Sequence, residues 1–238
     1  MDREYRLICP SRKELIAGGI YLPIHMLFMQ LVLALLFLFV DHFFQLTPTP
    51  MGMNLAFQLV ACLYLTLFMF QYLRQSWARF LEGGISGLWV ILQGYGMRLI
   101  LSLPIAIPIA LLFPELANPN NDMVMELVFE NFWLSFILIV LLAPMVEELM
   151  FRGVLFAPLL KYSRVLAYSV SSLSFGFLHI LGPLFLDYSP FLFVTMLLYI
   201  PHGIALCWVY EKTGSIWPAI FLHALNNLLA MLFTQLIF

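Results

Sequence analysis

The chain has 238 residues, 63% hydrophobic and 10% charged, with a formal net charge of -2. Soluble domains carry about 25% charged residues, so the composition excludes an ordinary water-soluble fold, and no basic cluster interleaved with aromatics points to nucleic acid. The three cysteines, Cys9, Cys62 and Cys207, are scattered and odd in number, which suits free thiols better than a metal set or a disulfide framework.

Apolar runs of about 20 residues, enough to cross a hydrocarbon core of roughly 30 Å as helices, recur along the whole length. The expectation is an all-α, polytopic transmembrane helical bundle forming one membrane domain over residues 1–238. Seven spans are expected, near Gly19–Val40, Asn54–Leu73, Leu88–Phe113, Val128–Phe151, Ser163–Leu181, Pro190–Tyr210 and Ser215–Leu236. The first follows a polar, charged leader and, at about 22 residues, exceeds the 7–15 of a signal-peptide core, so a retained N-terminus is expected. The third contains Arg98, with Pro104 and Pro108 beyond it; a kinked helix competes there with an interfacial segment around Trp77–Gly96, and an extra segment within 76–113 would make eight.

The eleven basic residues fall in alternate connections: Arg3, Arg6, Arg12 and Lys13; Arg74, Arg79 and Arg98; Arg152, Lys161 and Arg164; and Lys212. The connections between carry acidic or neutral residues only. By the positive-inside rule the N-terminus is cytoplasmic and the C-terminus lies on the other side.

Ionisable groups inside spans are expensive and should face the protein interior. The fourth span carries Glu147 and Glu148 in "APMVEELMFRG", the fifth His179, the sixth His202, and the last His223, Asn226 and Asn227; His25 lies in the first. Glu148 and Arg152 are four apart with the acid first, the favourable order for a helical ion pair. Glu147 has Phe151 at that spacing and no basic partner on its helix, which makes it the candidate general base. His223 and Asn227 share a helix face, as do Phe175 and His179. If the three helices converge, they assemble a carboxylate, two imidazoles and an amide, enough to activate water and stabilise an oxyanion. Glu147, His179 and His223 could equally hold a divalent metal such as zinc with a water in the fourth position. Lone membrane histidines are usually satisfied interhelical donors, the reading for His25 and His202. The Phe-rich "FWLSFILIV" reads as lipid-facing surface.

"EELMFR" at Glu147–Arg152, "FGFLH" at Phe175–His179 and "HALNN" at His223–Asn227 resemble, in order, the EExxxR, FxxxH and HxxxN motifs of the CAAX prenyl protease and bacteriocin-processing (CPBP, or Abi) family of intramembrane proteases. "YEKTGSIWPAIFLHALNN" is similar to the family's usual run before its last motif. The resemblance spans about Leu142–Leu229, leaving 1–127 as variable N-terminal helices and 128–238 as a catalytic four-helix core. It implies an endopeptidase of the membrane, with a cavity open to the cytoplasm, that cleaves a membrane-associated peptide or protein. Carried over, Glu147 activates the water, His179 assists it, His223 and Asn227 bind the carbonyl oxygen, and Glu148 and Arg152 form a supporting pair beside Phe175. Within the resemblance, processing of membrane-bound or prenyl-like peptides, self-immunity against bacteriocins and maturation of a secreted peptide are the expected settings, and the alternative is a non-catalytic scaffold or immunity protein that binds a partner. A small transporter fits worse, because no inverted repeat is visible. His179 lies about 15 residues beyond Arg164, deeper than the expected positions of Glu147 and His223, so a "KYSR" linker extended further is expected to bring it level.

Overall fold

A computed structural model describes residues 7–45, 49–186 and 188–237. Among them every regular element is helical, and six helices are long and apolar enough to cross a membrane. The protein is an integral, multi-pass membrane protein whose outer surface is apolar: Ile85, Ile100 and Trp133 are all exposed, as a lipid-facing surface requires.

Helix α1 (Arg12–Pro23) opens on a capping box in which Ser11 Oγ accepts from Glu14 N and Glu14 Oε2 accepts from Ser11 N. Glu14 Oε1 also accepts the backbone N–H of Tyr72 at 2.8 Å, tying α1 to the start of α4. A π-helical turn, Ile24–Phe28, follows Pro23 and leads into α2 (Met29–Phe44). The expected first span is therefore divided, and its apolar helix is the shorter stretch Ala34–Phe44. This is where six differs from seven.

Helix α3 (Pro50–Phe68) is capped by Thr49, whose Oγ1 accepts from Gly52 N. After Met69 the chain continues as α4 (Phe70–Leu112), broken at Gly84. With φ 52 and ψ -136, Gly84 adopts a conformation that a Cβ disfavours strongly. The break separates residues 70–83 from the long stretch 85–112, and it falls inside Trp77–Gly96, so that segment is not one interfacial helix. Then come α5 (Pro119–Glu130), α6 (Phe132–Leu160), α7 (Arg164–Leu186), α8 (Leu192–Thr213) and α9 (Trp217–Ile237).

Helix α6 alternates between two hydrogen-bonding patterns. It is π-helical over Phe136–Leu142 and Leu149–Phe156 and α-helical between and after them. Each wide segment ends at an Ala-Pro pair, Ala143-Pro144 and Ala157-Pro158. A proline inside a helix lacks an N–H and crowds the carbonyl four residues back; widening the preceding turn relieves that contact. The alanine N–H then reaches back five residues, Ala143 to Leu138 O and Ala157 to Arg152 O.

Close packing joins the first half to the rest. A Cβ on Gly94 of α4 would stand 2.3 Å from Val209 Cγ2 of α8 and 3.0 Å from Leu222 Cδ2 of α9. The α8–α9 turn is buried under the N-terminal segment and α4, with Ile8 N donating to Gly214 O, Ser215 Oγ to Ser76 O and Trp217 Nε1 to Leu73 O. Arg164 pairs with Glu211 at 3.0 Å, which brings the α6–α7 turn to the same end. Arg12, Arg74, Lys161, Arg164 and Lys212 thus belong to one end of the bundle, the end that the charge rule assigns to the cytoplasm.

Candidate active site

The "KYSR" linker is short, because α7 begins at Arg164. Two other features bring the motif residues level. Helix α6 runs on to Leu160, past the expected end at Phe151. Glu147 is consequently 13 residues from that end and His179 15 residues from the start of α7, so the two lie at comparable depths. The α8–α9 turn is sunk into the protein, which carries His223 inward. Helical side chains also lean toward the N-terminus, and the His179 ring does so, with Nδ1 2.9 Å from Phe175 O.

Arg152 and Glu148 are fully buried. Arg152 Nη1 donates to Glu148 Oε1 at 3.0 Å, and Nη2 donates to the backbone carbonyl of Gly203 at 3.1 Å. The guanidinium carbon lies 4.6 Å from the centre of the Phe175 ring, a cation–π contact in a desolvated place. Gly203 is needed at the crossing of α7 and α8, since a Cβ there would stand 2.9 Å from Ser172 Cα.

Glu148 has a second partner. His223 Nδ1 lies 2.8 Å from the same Oε1 that receives Arg152. The expected pair is thus a triad across two helices, Arg152–Glu148–His223, and the carboxylate nearest His223 is Glu148. Glu147 is buried too, with Oε2 lacking any hydrogen-bond partner among the described residues. It stands within electrostatic reach of His223, Glu148 and Arg152.

Phe175 is the hub of the rings. Its centre lies 4.6 Å from that of His179, 5.5 Å from His223 and 5.7 Å from His202. Because Phe175 O can only accept, His179 carries its proton on Nδ1 there, leaving Nε2 with a lone pair in the neutral ring. Likewise a carboxylate partner puts a proton on His223 Nδ1.

Asn227 occupies a different place. Its Nδ2 donates to Ile139 O at 2.9 Å. Ile139 sits five residues before Pro144 in the first wide segment, and Pro144 has no N–H to give back. The amide satisfies a carbonyl that the proline leaves open, so one of its two N–H groups is committed to holding α9 against α6. Asn226 Nδ2 donates to Asn227 Oδ1 at 3.4 Å.

His25 is satisfied by Tyr21 OH at 3.1 Å. His202 departs from the same expectation: both ring nitrogens lack a partner among the described residues. Its ring stands edge to face with His223, centres 5.1 Å apart at 82°. Tyr199, three residues earlier on α8, stacks on His179 at 4.2 Å and 26°. Its hydroxyl donates to Asn118 Oδ1 at 3.0 Å and receives Asn120 Nδ2 at 3.2 Å, at the start of α5. Neither Tyr199 nor His202 lies in a motif. The signal that could have found them is their i, i+3 spacing, which places two ring-bearing polar groups on one face of a buried helix.

Among the described residues, no three His, Cys, Asp or Glu side chains gather closely enough to hold a metal.

Residues 129–229 match the family model described as type II CAAX prenyl endopeptidase Rce1-like. That Rce1-like region begins just before α6, ends in α9 after Asn227, and contains every motif residue above, consistent with the CPBP family. None of the curated proteins or solved structures compared matches the chain. Over that part the chain is similar to a family of prenyl endopeptidases.

Proposed function

We propose that the protein is an intramembrane endopeptidase in which Glu147 activates water to hydrolyse a peptide bond of a membrane-associated substrate. The observation that carries this reading is Glu147 itself: a buried carboxylate whose Oε2 has no partner among the described residues, beside Glu148, whose Oε2 is also unpaired but whose Oε1 is held by both Arg152 and His223. Burying a carboxylate oxygen unpaired is costly, and a reacting water is the partner that would offset the cost. Glu148 is already the counter-charge of Arg152 and the partner of His223 through Oε1, whereas Glu147 makes no ion pair among the described residues.

Glu147 removes a proton from water, and the oxygen forms a bond to the scissile carbonyl carbon as the carbonyl electrons move onto its oxygen. The His179 Nε2 lone pair holds the water's second hydrogen. His223, whose Nδ1 proton is held by Glu148, donates from Nε2 to the oxyanion, and the adjacent carboxylate stabilises the imidazolium. Asn227 contributes first by fixing α9 to α6, with its remaining N–H available to the same oxygen. The C–N bond then breaks, the amine takes the proton from Glu147, the acid's remaining proton passes by way of His179 Nε2 to the amine, and a carboxylate and an ammonium leave.

Glu147→Gln is expected to remain folded in the membrane and to lose about 10²–10⁴-fold in cleavage rate. Full activity in that variant would overturn the reading in favour of a partner-binding scaffold. The chemistry proposed runs without a metal, so EDTA is expected to leave cleavage intact. Elemental analysis that finds a stoichiometric metal, lost together with activity, would replace that part of the mechanism.

A further inference from the structure

The polar group that the scheme above does not use is His202. It is 7% exposed, so more than nine-tenths of it is buried, and it packs between Phe175 and His223 at the centre of the site. A neutral imidazole offers one donor and one acceptor on opposite sides of the ring, and here neither has a partner among the described residues. The other buried histidines each engage one ring nitrogen: His25 with Tyr21 OH and His223 with Glu148. A buried donor or acceptor left unmade costs more than a made bond contributes, and a ring needed only for packing would be better served by phenylalanine.

We propose that His202 is a substrate-binding residue, whose ring nitrogens hydrogen-bond the peptide main chain beside the scissile bond. This rests on the endopeptidase reading and deepens it. The main chain of an extended peptide is the partner whose chemistry fits, because it presents both a C=O and an N–H, whereas an anion would use only donors and a cation only acceptors. The position agrees with this. His223, the proposed oxyanion donor, is the nearest ring to His202, so a peptide whose carbonyl reaches His223 passes alongside His202. Helix α8 then serves each site histidine with one residue, Tyr199 against His179 and His202 beside His223. Main-chain recognition is independent of side chains, so the subsite orients the backbone without selecting a sequence.

The test separates ring from nitrogens. His202→Phe keeps the ring and its contacts with Phe175 and His223, while His202→Gln keeps a donor and an acceptor without the ring. Binding is measured on the Glu147→Gln protein in nanodiscs of phosphatidylcholine and phosphatidylglycerol, using fluorescein-labelled amphipathic peptides, unmodified and farnesylated on cysteine. Adding His202→Phe is expected to weaken binding about tenfold or more, as loss of one to two hydrogen bonds implies, and adding His202→Gln to recover part of it. In the active protein His202→Phe is expected to raise KM more than it lowers kcat. Unchanged peptide binding in the Phe variant, or equal loss in Phe and Gln variants, overturns the proposal and leaves His202 as packing, or as a group satisfied by water. No binding of any peptide to the Glu147→Gln protein overturns it also. The endopeptidase reading fails separately, when the wild-type protein binds these peptides in a His202-dependent way and cleaves none.

Discussion

The three helices that carry motifs, α6, α7 and α9, contrast with the two that carry none but touch them most intimately, α4 and α8. The first group supplies the ionisable groups: Glu147, Glu148, Arg152, His179 and His223. The second group supplies fit. Gly94 lets α4 approach both α8 and α9, Gly203 lets α8 cross α7, and Tyr199 and His202 set rings against the two site histidines. A buried polar network holds its geometry only when everything around it is packed to match, so the helices without motifs decide whether the chemistry of the others is aligned.

Replacing one member of the charged group tests the difference most strongly. Arg152→Ala leaves Glu148 buried without its guanidinium, and removal of one partner of a buried pair costs about 3–5 kcal/mol. It is expected to unfold at markedly lower denaturant concentration, and to lose activity even where folded. On the other side, Gly94→Leu forces atoms into the space of Val209 Cγ2, an overpacking that costs about 1–3 kcal/mol. A thermal midpoint within error of wild type would show that α4 is a loose neighbour rather than part of the core.

Smaller effects sharpen the comparison. Asn227→Ala withdraws the amide from Ile139 O, and a carbonyl left unpaired there costs about 1–2 kcal/mol; if stability is unchanged while cleavage falls, Asn227 acts on substrate alone. Tyr199→Phe keeps the stack on His179 and removes the bonds to the asparagines, with an expected loss of about threefold in kcat and little change in KM. Tyr199→Leu, which loses the stack as well, should lose more. Equal losses in the two variants would mean that the hydroxyl, not the ring, positions His179.

Much of this was readable in the sequence. The charged residues that matter are rare in an apolar chain, so their positions and helical spacing exposed the Glu148–Arg152 pair and isolated Glu147 before any coordinates. The distribution of Arg and Lys anticipated which turns share an end. Four things were not legible, each for a physical reason. The depth of His179 depended on where α6 stops, and an apolar helix ending near Leu160 has no sharp signal at Phe151. Glu148 rather than Glu147 meets His223 because the choice depends on how α9 is rotated against α6, which no local pattern specifies. The roles of Tyr199 and His202 are set by neighbours distant in sequence. The repeated Ala-Pro in α6 was visible, yet its meaning, a widened turn before each proline, needed the backbone.

Those two widened turns change how α6 should be counted. Each holds more residues per turn than the α-helix around it, so angular positions drift away from the 100° steps that a helical wheel assumes. Single-residue deletions within Leu149–Phe156 should therefore be tolerated differently from deletions in the neighbouring Ala143–Glu148 turns. In the wide segment the backbone can tighten to α-helical geometry and absorb the missing residue. In the tight one, nothing is spare, and every side chain beyond the deletion rotates off its partner.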